Sequence, residues 1–339
     1  MSVTGGSVDF LAAQSGAPLG ADDTRRLFDA IFTGRLSEDE IIAYLSATAD
    51  RKPTVDELVG AVTSMRSHMR TITAPTGAID LCGTGGDGLG TLNISTAVSF
   101  VVAAHGVPVA KHGNRSASSR SGAADVLEAL GVNINLAPEA AEAVLRDTGL
   151  VFLFAQTYHP AMKYVGAARK QIGRRTIFNL LGPLASPARV THQLVGVFSA
   201  DWLVPYAQAL KALGSERAYI VHGRDGLDEV SISDGTEMAV LENGTVTLRD
   251  LTPEDAGLPR ASLADLKGGD AAHNAAALKR LFEGERGAYR DIVLLNAGAA
   301  LTVAGAATDI KSGVALATQS LDSGGAKAKL AALIEASTA

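Results

Sequence analysis

The run Gly83-Thr84-Gly85-Gly86-Asp87-Gly88-Leu89-Gly90-Thr91-Leu92-Asn93-Ile94-Ser95-Thr96 decides how this chain is read. It follows the apolar stretch Ala78–Cys82 and opens into the amphipathic stretch Ser95–His105. A strand, a side-chain-poor turn and a helix N-terminus in that order bring backbone N–H groups and the positive end of a helix dipole to one spot, which suits phosphate. Further along, Lys111-His112-Gly113-Asn114-Arg115 adds an ammonium, an imidazole, an amide and a guanidinium. The two segments together predict a site for a multiply phosphorylated small molecule.

Generic phosphate motifs fit poorly. Gly83-Thr84-Gly85-Gly86-Asp87-Gly88 satisfies G-x-G-x-x-G, but a dinucleotide fold also wants an acidic residue at the end of the next strand to hold the ribose. That strand, Val107–Ala110, runs into Lys111-His112, which attracts anions. A Walker loop needs Lys-Ser/Thr directly after its last glycine, and here Gly88 is followed by Leu89 and Gly90.

Outside this region, 339 residues with 47% hydrophobic and 19% charged allow two domains and a sizeable core. A net charge of −6 gives no basic footprint for nucleic acid. The single cysteine, Cys82, excludes an intramolecular disulfide, fits a reducing compartment and reads as a small buried residue. With no charged-then-apolar leader and no apolar run long enough to span a bilayer, a soluble cytoplasmic protein is expected.

Residues 1–19 are rich in small residues and are expected to be loosely ordered. Helical patterning runs from Asp22 to about Met69, with capping boxes at Ser37–Glu40 and Thr54–Glu57. After Pro75 strands and helices alternate: strand 78–82, helix 95–105, strand 107–111, helix 122–130, a helix from Pro138 stopped by Gly149, and strand 151–154. Residues 159–172 read as helix, 193–198 and 218–221 as strands, and Glu242-Asn243-Gly244 as a hairpin turn. The C-terminal third is Ala-rich helix. This predicts an α/β protein: a small N-terminal helical domain and a larger α/β domain whose mostly parallel central sheet is flanked by helices.

The order G-T-G-G-D, N-x-S-T, K-H-G-N-R resembles the anthranilate phosphoribosyltransferases. So do Ser121–Val132, His159–Lys163, Arg175–Leu184 and Asp228-Glu229 near His222-Gly223. The resemblance implies transfer of phosphoribose from phosphoribosyl pyrophosphate (PRPP) to anthranilate in tryptophan biosynthesis, by a homodimer joined through its helical domain. It implies a helical domain of residues 1–72 plus a segment and hinge at 161–190, an α/β domain of 73–160 plus 191–339, and an active site in the cleft between them. PRPP would be held by Gly83, Gly86, Asp87, Thr91, Asn93, Ile94, Ser95 and Thr96. A second wall would be formed by Lys111, His112, Gly113, Asn114, Arg115, Ser116, Ala117, Ser118 and Ser119, with Ala123 offering backbone only. Arg169 would take the anthranilate carboxylate, with Gly83, Asn114, His112, His159 and Pro183 around the ring and amine. Arg169 and Asn114 thereby position the nucleophile. Two Mg²⁺ ions are implied, one on Ser95 and Glu229, the other on Asp228 and Glu229, the acidic pair lying at the mouth of an expected strand Val230–Ser233. No general base is expected, because the aromatic amine is already unprotonated near neutral pH.

Two other readings are open on sequence. A pyrimidine nucleoside phosphorylase shares the architecture but carries K-H-S-T-G-G in place of Lys111–Arg115. A nucleic-acid-binding relative of the same fold should be basic and lack K-H-G-N-R.

Overall fold

The computed structural model describes residues 15–116 and 120–339, which divide into two compact units. The smaller contains the chain up to Arg70 and His159–Ala185; the larger contains Thr71–Tyr158 and Ser186–Ala339.

The smaller unit is helical. Helices Ala21–Phe32, Glu38–Thr48 and Val55–Ser67 take up the N-terminal patterning, and both capping boxes form, at Ser37 with Glu40 and at Thr54 with Glu57. The first and third pack closely because Gly60 has no side chain; a Cβ there would overlap the Ala21 carbonyl. Phe28, Phe32, Tyr44 and Phe178 fill the interior with ring contacts. The buried Glu57 carboxylate accepts from Arg51 Nη1 at 2.7 Å and from Leu19 N–H at 3.2 Å, while Arg51 Nε donates to the Gly16 carbonyl at 2.6 Å. Residues 16–19 are therefore tied down, contrary to the looseness expected of residues 1–19; residues 1–14 lie outside the described residues. The helix expected over 159–172 is split. A 3₁₀ turn spans Pro160–Tyr164, with Pro160 at its start where the missing N–H is tolerated, and an α-helix Gly166–Ile172 follows after a break at Val165.

The larger unit is built on a seven-stranded sheet. Its strands are β1 (Ile79–Gly83), β2 (Val109–Gly113), β3 (Leu150–Phe154), β4 (His192–Gly196), β5 (Arg217–Gly223), β6 (Thr236–Glu242) and β7 (Thr245–Leu251), in the order β3-β2-β1-β4-β5-β6-β7. The first five are parallel, and β6 and β7 add antiparallel at one edge through the Asn243-Gly244 turn, where both residues have positive φ (52° and 70°). The expected fold class, a small helical domain plus a mostly parallel α/β domain, is what forms. Helix Ile94–Ala104 is apolar on nearly every side and packs with helices Ala288–Val303 and Gly325–Thr338 in the core.

The expected strand Val230–Ser233 does not form. Its backbone groups go elsewhere: Ser231 N–H goes to Thr236 Oγ1 and the Ile232 carbonyl accepts from Ala261 N–H, while Val230 N–H donates to Asn296 Oδ1 at 2.9 Å and Asn296 Nδ2 donates to the Val230 carbonyl at 2.8 Å. This fully buried amide fixes the segment that follows Asp228-Glu229. We predict that Asn296→Ala, which orphans both groups, lowers stability by about 2–4 kcal/mol in denaturant unfolding; a loss under about 1 kcal/mol would mean that water satisfies them.

Candidate active site

Strands β1 and β4 are neighbours, but the chain leaves β1 toward β2 on one side and β4 toward β5 on the other. That divergence opens a crevice at their C-terminal ends. Both strands end in glycine, Gly83 paired with Gly196. A Cβ on Gly196 would overlap the Asp228 carbonyl, and one on Gly83 would stand 3.1 Å from Asp228 Oδ2. Asp228 is thus laid across the end of β4, where only glycine leaves room, with its carboxylate beside Gly83.

The loop that leaves Gly83 depends on glycine for another reason. Gly85, Gly86, Gly88 and Gly90 have φ of 66°, 88°, 76° and 64°, a region costly for other residues. Asp87 Oδ1 accepts the Leu89 N–H at 3.1 Å, and the outer end pairs Thr91 with Lys267. At the helix N-terminus, Asn93 does not cap with its side chain; Glu229 Oε1 accepts the Ser95 N–H at 3.2 Å. A carboxylate therefore already sits in the positive field of the helix end. The Ile94 and Thr96 side chains are buried, and Thr96 faces a small internal void beside Ser99 and Lys111.

Lys111, 3% exposed, lies beneath the loop: Nζ donates to the Leu81 carbonyl and to Ser95 Oγ at 3.1 Å. Only Ile79 and Val109 are in ladder register between β1 and β2. Beyond them the seam is crossed by Lys111 and by the His112 N–H, which donates to Asp80 Oδ1 at 2.9 Å. Burial pushes the Asp80 carboxyl up to about 6, with Lys111 and these hydrogen bonds pulling the other way.

Burial likewise pushes Glu229 up to about 7, against the pull of Lys111 and the Ser95 N–H. Asp228 is raised well above its usual value by burial and then by the charges of Asp87 and Glu229. Asp228 thus feels the charges of Asp87 and Glu229, while Lys111 acts on Glu229, and carboxylate oxygens are the donors a hard divalent ion takes. Among the described residues no group of three or more His, Cys, Asp or Glu side chains is placed to hold a metal ion, so such an ion would need further oxygens from a phosphorylated substrate.

In the second wall, Gly113 packs so tightly on the Phe152 ring that a Cβ would come within 2.7 Å of it. Asn114 is exposed, its Oδ1 accepting the Arg115 N–H at 2.8 Å. Arg115 is engaged by Asp125 at 2.9 Å and by Glu128 through Nη2 at 2.9 Å. The Ser116 N–H goes to Asp125 Oδ2 at 3.2 Å, and Ala123 opens helix Ala123–Ala129. Ala117, Ser118 and Ser119 lie outside the described residues.

Arg169, His159 and Pro183 belong to the helical unit. The Arg169 guanidinium lies 5.6 Å from the Phe178 ring centroid and forms no ion pair among the described residues; burial lowers its pKa. It is a partly desolvated cation open to a carboxylate. The His159 imidazole is pushed down to about 4 by burial, against a bond to the Ala185 backbone, and so is neutral near pH 7. Pro183 is buried at the start of a 3₁₀ turn.

Sequence reasoning missed Asp80 and Gly196. Each had a signal: a carboxylate inside the apolar run Ala78–Cys82, and a glycine inside a strand, which marks close backbone approach.

A glycine loop at a sheet switch point, beside buried acids and a lysine, defines a protein that handles a phosphorylated sugar or nucleotide. Two family models agree: the glycosyl transferase family a/b domain matches residues 75–327, and the glycosyl transferase family helical bundle domain matches residues 12–69. Among curated relatives, the anthranilate phosphoribosyltransferase of Azorhizobium caulinodans is 55% identical over 96% of this chain and 94% of its own length. That of one Rhodopseudomonas palustris strain is 53% identical over 98% and 99%. The crystal structure of the Thermus thermophilus anthranilate phosphoribosyltransferase superposes with a TM-score of 0.93 at 41% identity, covering 97% of this chain and 99% of that one. The Saccharomyces cerevisiae enzyme, described as in complex with PRPP and Mg, gives 0.87 at 25% identity over 98% and 99%. The chain belongs to the anthranilate phosphoribosyltransferase family.

The raised Glu229 carboxyl sets a pH dependence. A group that titrates at about 7 when folded, against its ordinary 4.5, contributes stability below 4.5 that is lost as pH rises through 7. We predict that in Mg²⁺-free buffer Glu229→Gln gains thermal stability over the parent between pH 5 and pH 8; a difference that does not change with pH would contradict the burial argument.

Proposed function

We propose that the Gly83–Thr96 loop, the Lys111–Ser119 wall and the Asp228-Glu229 pair hold PRPP, while Arg169 holds the acceptor. The chain transfers the 5-phosphoribosyl group from PRPP to the amine of anthranilate, giving N-(5-phosphoribosyl)anthranilate and pyrophosphate in tryptophan biosynthesis. The observation that carries the residue assignment is the Gly83–Gly196 seam, which seats Asp228 beside the left-handed glycine loop.

In the reaction the C1–O bond to pyrophosphate breaks with its electron pair leaving on the diphosphate. The anthranilate nitrogen forms the new bond to C1 and gives up a proton. Positive charge grows on the ribosyl carbon and negative charge on the leaving group, so catalysis rests on positioning and charge compensation. The loop amides of Gly83–Thr91 cradle phosphate oxygens. Lys111 fixes Ser95 from below and keeps positive potential under the diphosphate. Arg169 takes the anthranilate carboxylate in a fork, with Asn114 and the Gly83 backbone toward the amine and His112, neutral His159 and Pro183 along the ring. The family resemblance implies two Mg²⁺ ions: Ser95 and Glu229 would hold one and Asp228 and Glu229 the other, and the bound metal would supply charge compensation for the diphosphate. Arg115 would have to leave Asp125 and Glu128 before it met a phosphate.

A homodimer through the helical unit follows from the family resemblance. A cytoplasmic setting is supported by the free Cys82, and no helix among the described residues is long and apolar enough to cross a membrane. The acidic net charge speaks against a nucleic-acid partner.

Loss of anthranilate fluorescence in the presence of PRPP and Mg²⁺ tests the reading, with each component omitted in turn. Arg169→Ala removes a charge-assisted carboxylate contact worth roughly 2–5 kcal/mol. It should weaken use of anthranilate by tens-fold to thousands-fold and leave PRPP binding nearly intact. Equal loss for both substrates would place Arg169 elsewhere.

A further inference from the structure

Asn274, 2% exposed near the start of helix Ala271–Phe282, lies far in sequence from every motif, yet its amide reaches the phosphate loop. Its Oδ1 accepts the Gly269 N–H at 2.8 Å and its Nδ2 donates to Asn93 Oδ1 at 2.8 Å. Gly269 offers a donor there, which fixes which end of the amide faces Asn93. Asn93 donates its own Nδ2 to the Ser121 carbonyl at 3.4 Å, and its backbone carbonyl accepts the Tyr289 hydroxyl at 3.2 Å. It is the joint between loop and helix, and it is held from three sides.

The segment leading to Asn274 tracks the same half of the loop. Leu92 N–H donates to the Leu266 carbonyl at 2.8 Å, and Gly268 N–H donates to the Gly90 carbonyl at 2.9 Å. A Cβ on Gly268 would come within 2.5 Å of the Thr91 carbonyl oxygen, so the two backbones meet without room for a side chain. Four left-handed glycines leave the preceding loop little stiffness of its own, and its shape must be imposed by neighbours.

We infer that Asn274 is a positioning residue for PRPP. Through Gly269 and Asn93 it holds the Gly90–Asn93 half of the loop, and with it the N-terminus of helix Ile94–Ala104, in the shape that diphosphate binding requires. The inference rests on the assignment of Gly83–Thr96 to PRPP.

The test is steady-state kinetics on the full chain for Asn274→Ala and for Asn274→Asp, alone and with Asn93→Ala. The aspartate variant keeps the volume but, when ionised, cannot donate to Asn93. Both single variants should raise KM for PRPP by about tenfold, with KM for anthranilate within about twofold. In the Asn93→Ala background the second change should add under about twofold, since the shared bond is already gone. Parallel increases in both KM values, independent multiplicative effects, or an aspartate variant that behaves as the parent would overturn the inference. If the parent consumes anthranilate without PRPP, or Asn93→Ala leaves KM for PRPP unchanged, it is the underlying assignment that fails.

Discussion

The structure turns on a close approach: the carbonyl of Asp228 occupies the space where Gly196 would carry a side chain, one strand away from Gly83. A sheet switch point offers a crevice for ligands in many folds, but its chemistry depends on what is brought there. Here two terminal glycines let an acidic loop lie flat on the strand ends, and the amide of Asn296 fixes the backbone at Val230 from behind. The carboxylates are consequently buried, and Asp228 is repelled by Asp87 and Glu229 while Lys111 pulls on Glu229.

That burial and repulsion explain the surrounding residues. Lys111 is spent on the Leu81 carbonyl and Ser95 rather than displayed at the surface, so it acts as a fixed charge under the site. Asp80 crosses the opened β1–β2 seam to the His112 N–H, keeping Lys111 and His112 aligned where the ladder stops. Glu229 caps the helix that a phosphate would otherwise cap. The protein therefore presents a preorganised cradle, and in the proposed function a diphosphate arriving with a divalent cation would complete its charge balance.

Local signals made most of the fold legible. Capping boxes at Ser37 and Thr54, Pro138 and Gly149 around one helix, and the Asn243-Gly244 turn each act through backbone chemistry over a few residues. The glycine loop was legible for the same reason. Long-range substitutions for backbone pairing were not: Val230–Ser233 has a strand's composition, but Asn296, far along the chain, takes the hydrogen bonds of Val230, and Thr236 and Ala261 take those of Ser231 and Ile232. Arg115 reads as a free phosphate ligand beside Asn114, whereas Asp125 and Glu128, one helix later, engage it. Asn274 offered no signal, since an asparagine in an Ala-rich helix looks like any exposed polar residue.

In the proposed function, Asp228 seated over the glycine end of β4 would create the cation-dependent diphosphate site. Calorimetric titration of PRPP into Gly196→Ala, with and without Mg²⁺, tests it at a residue assigned no substrate contact. The account predicts that one methyl group abolishes the Mg²⁺-dependent part of PRPP binding while secondary structure by circular dichroism stays that of the parent. Mg²⁺-dependent binding as tight as the parent's would contradict it.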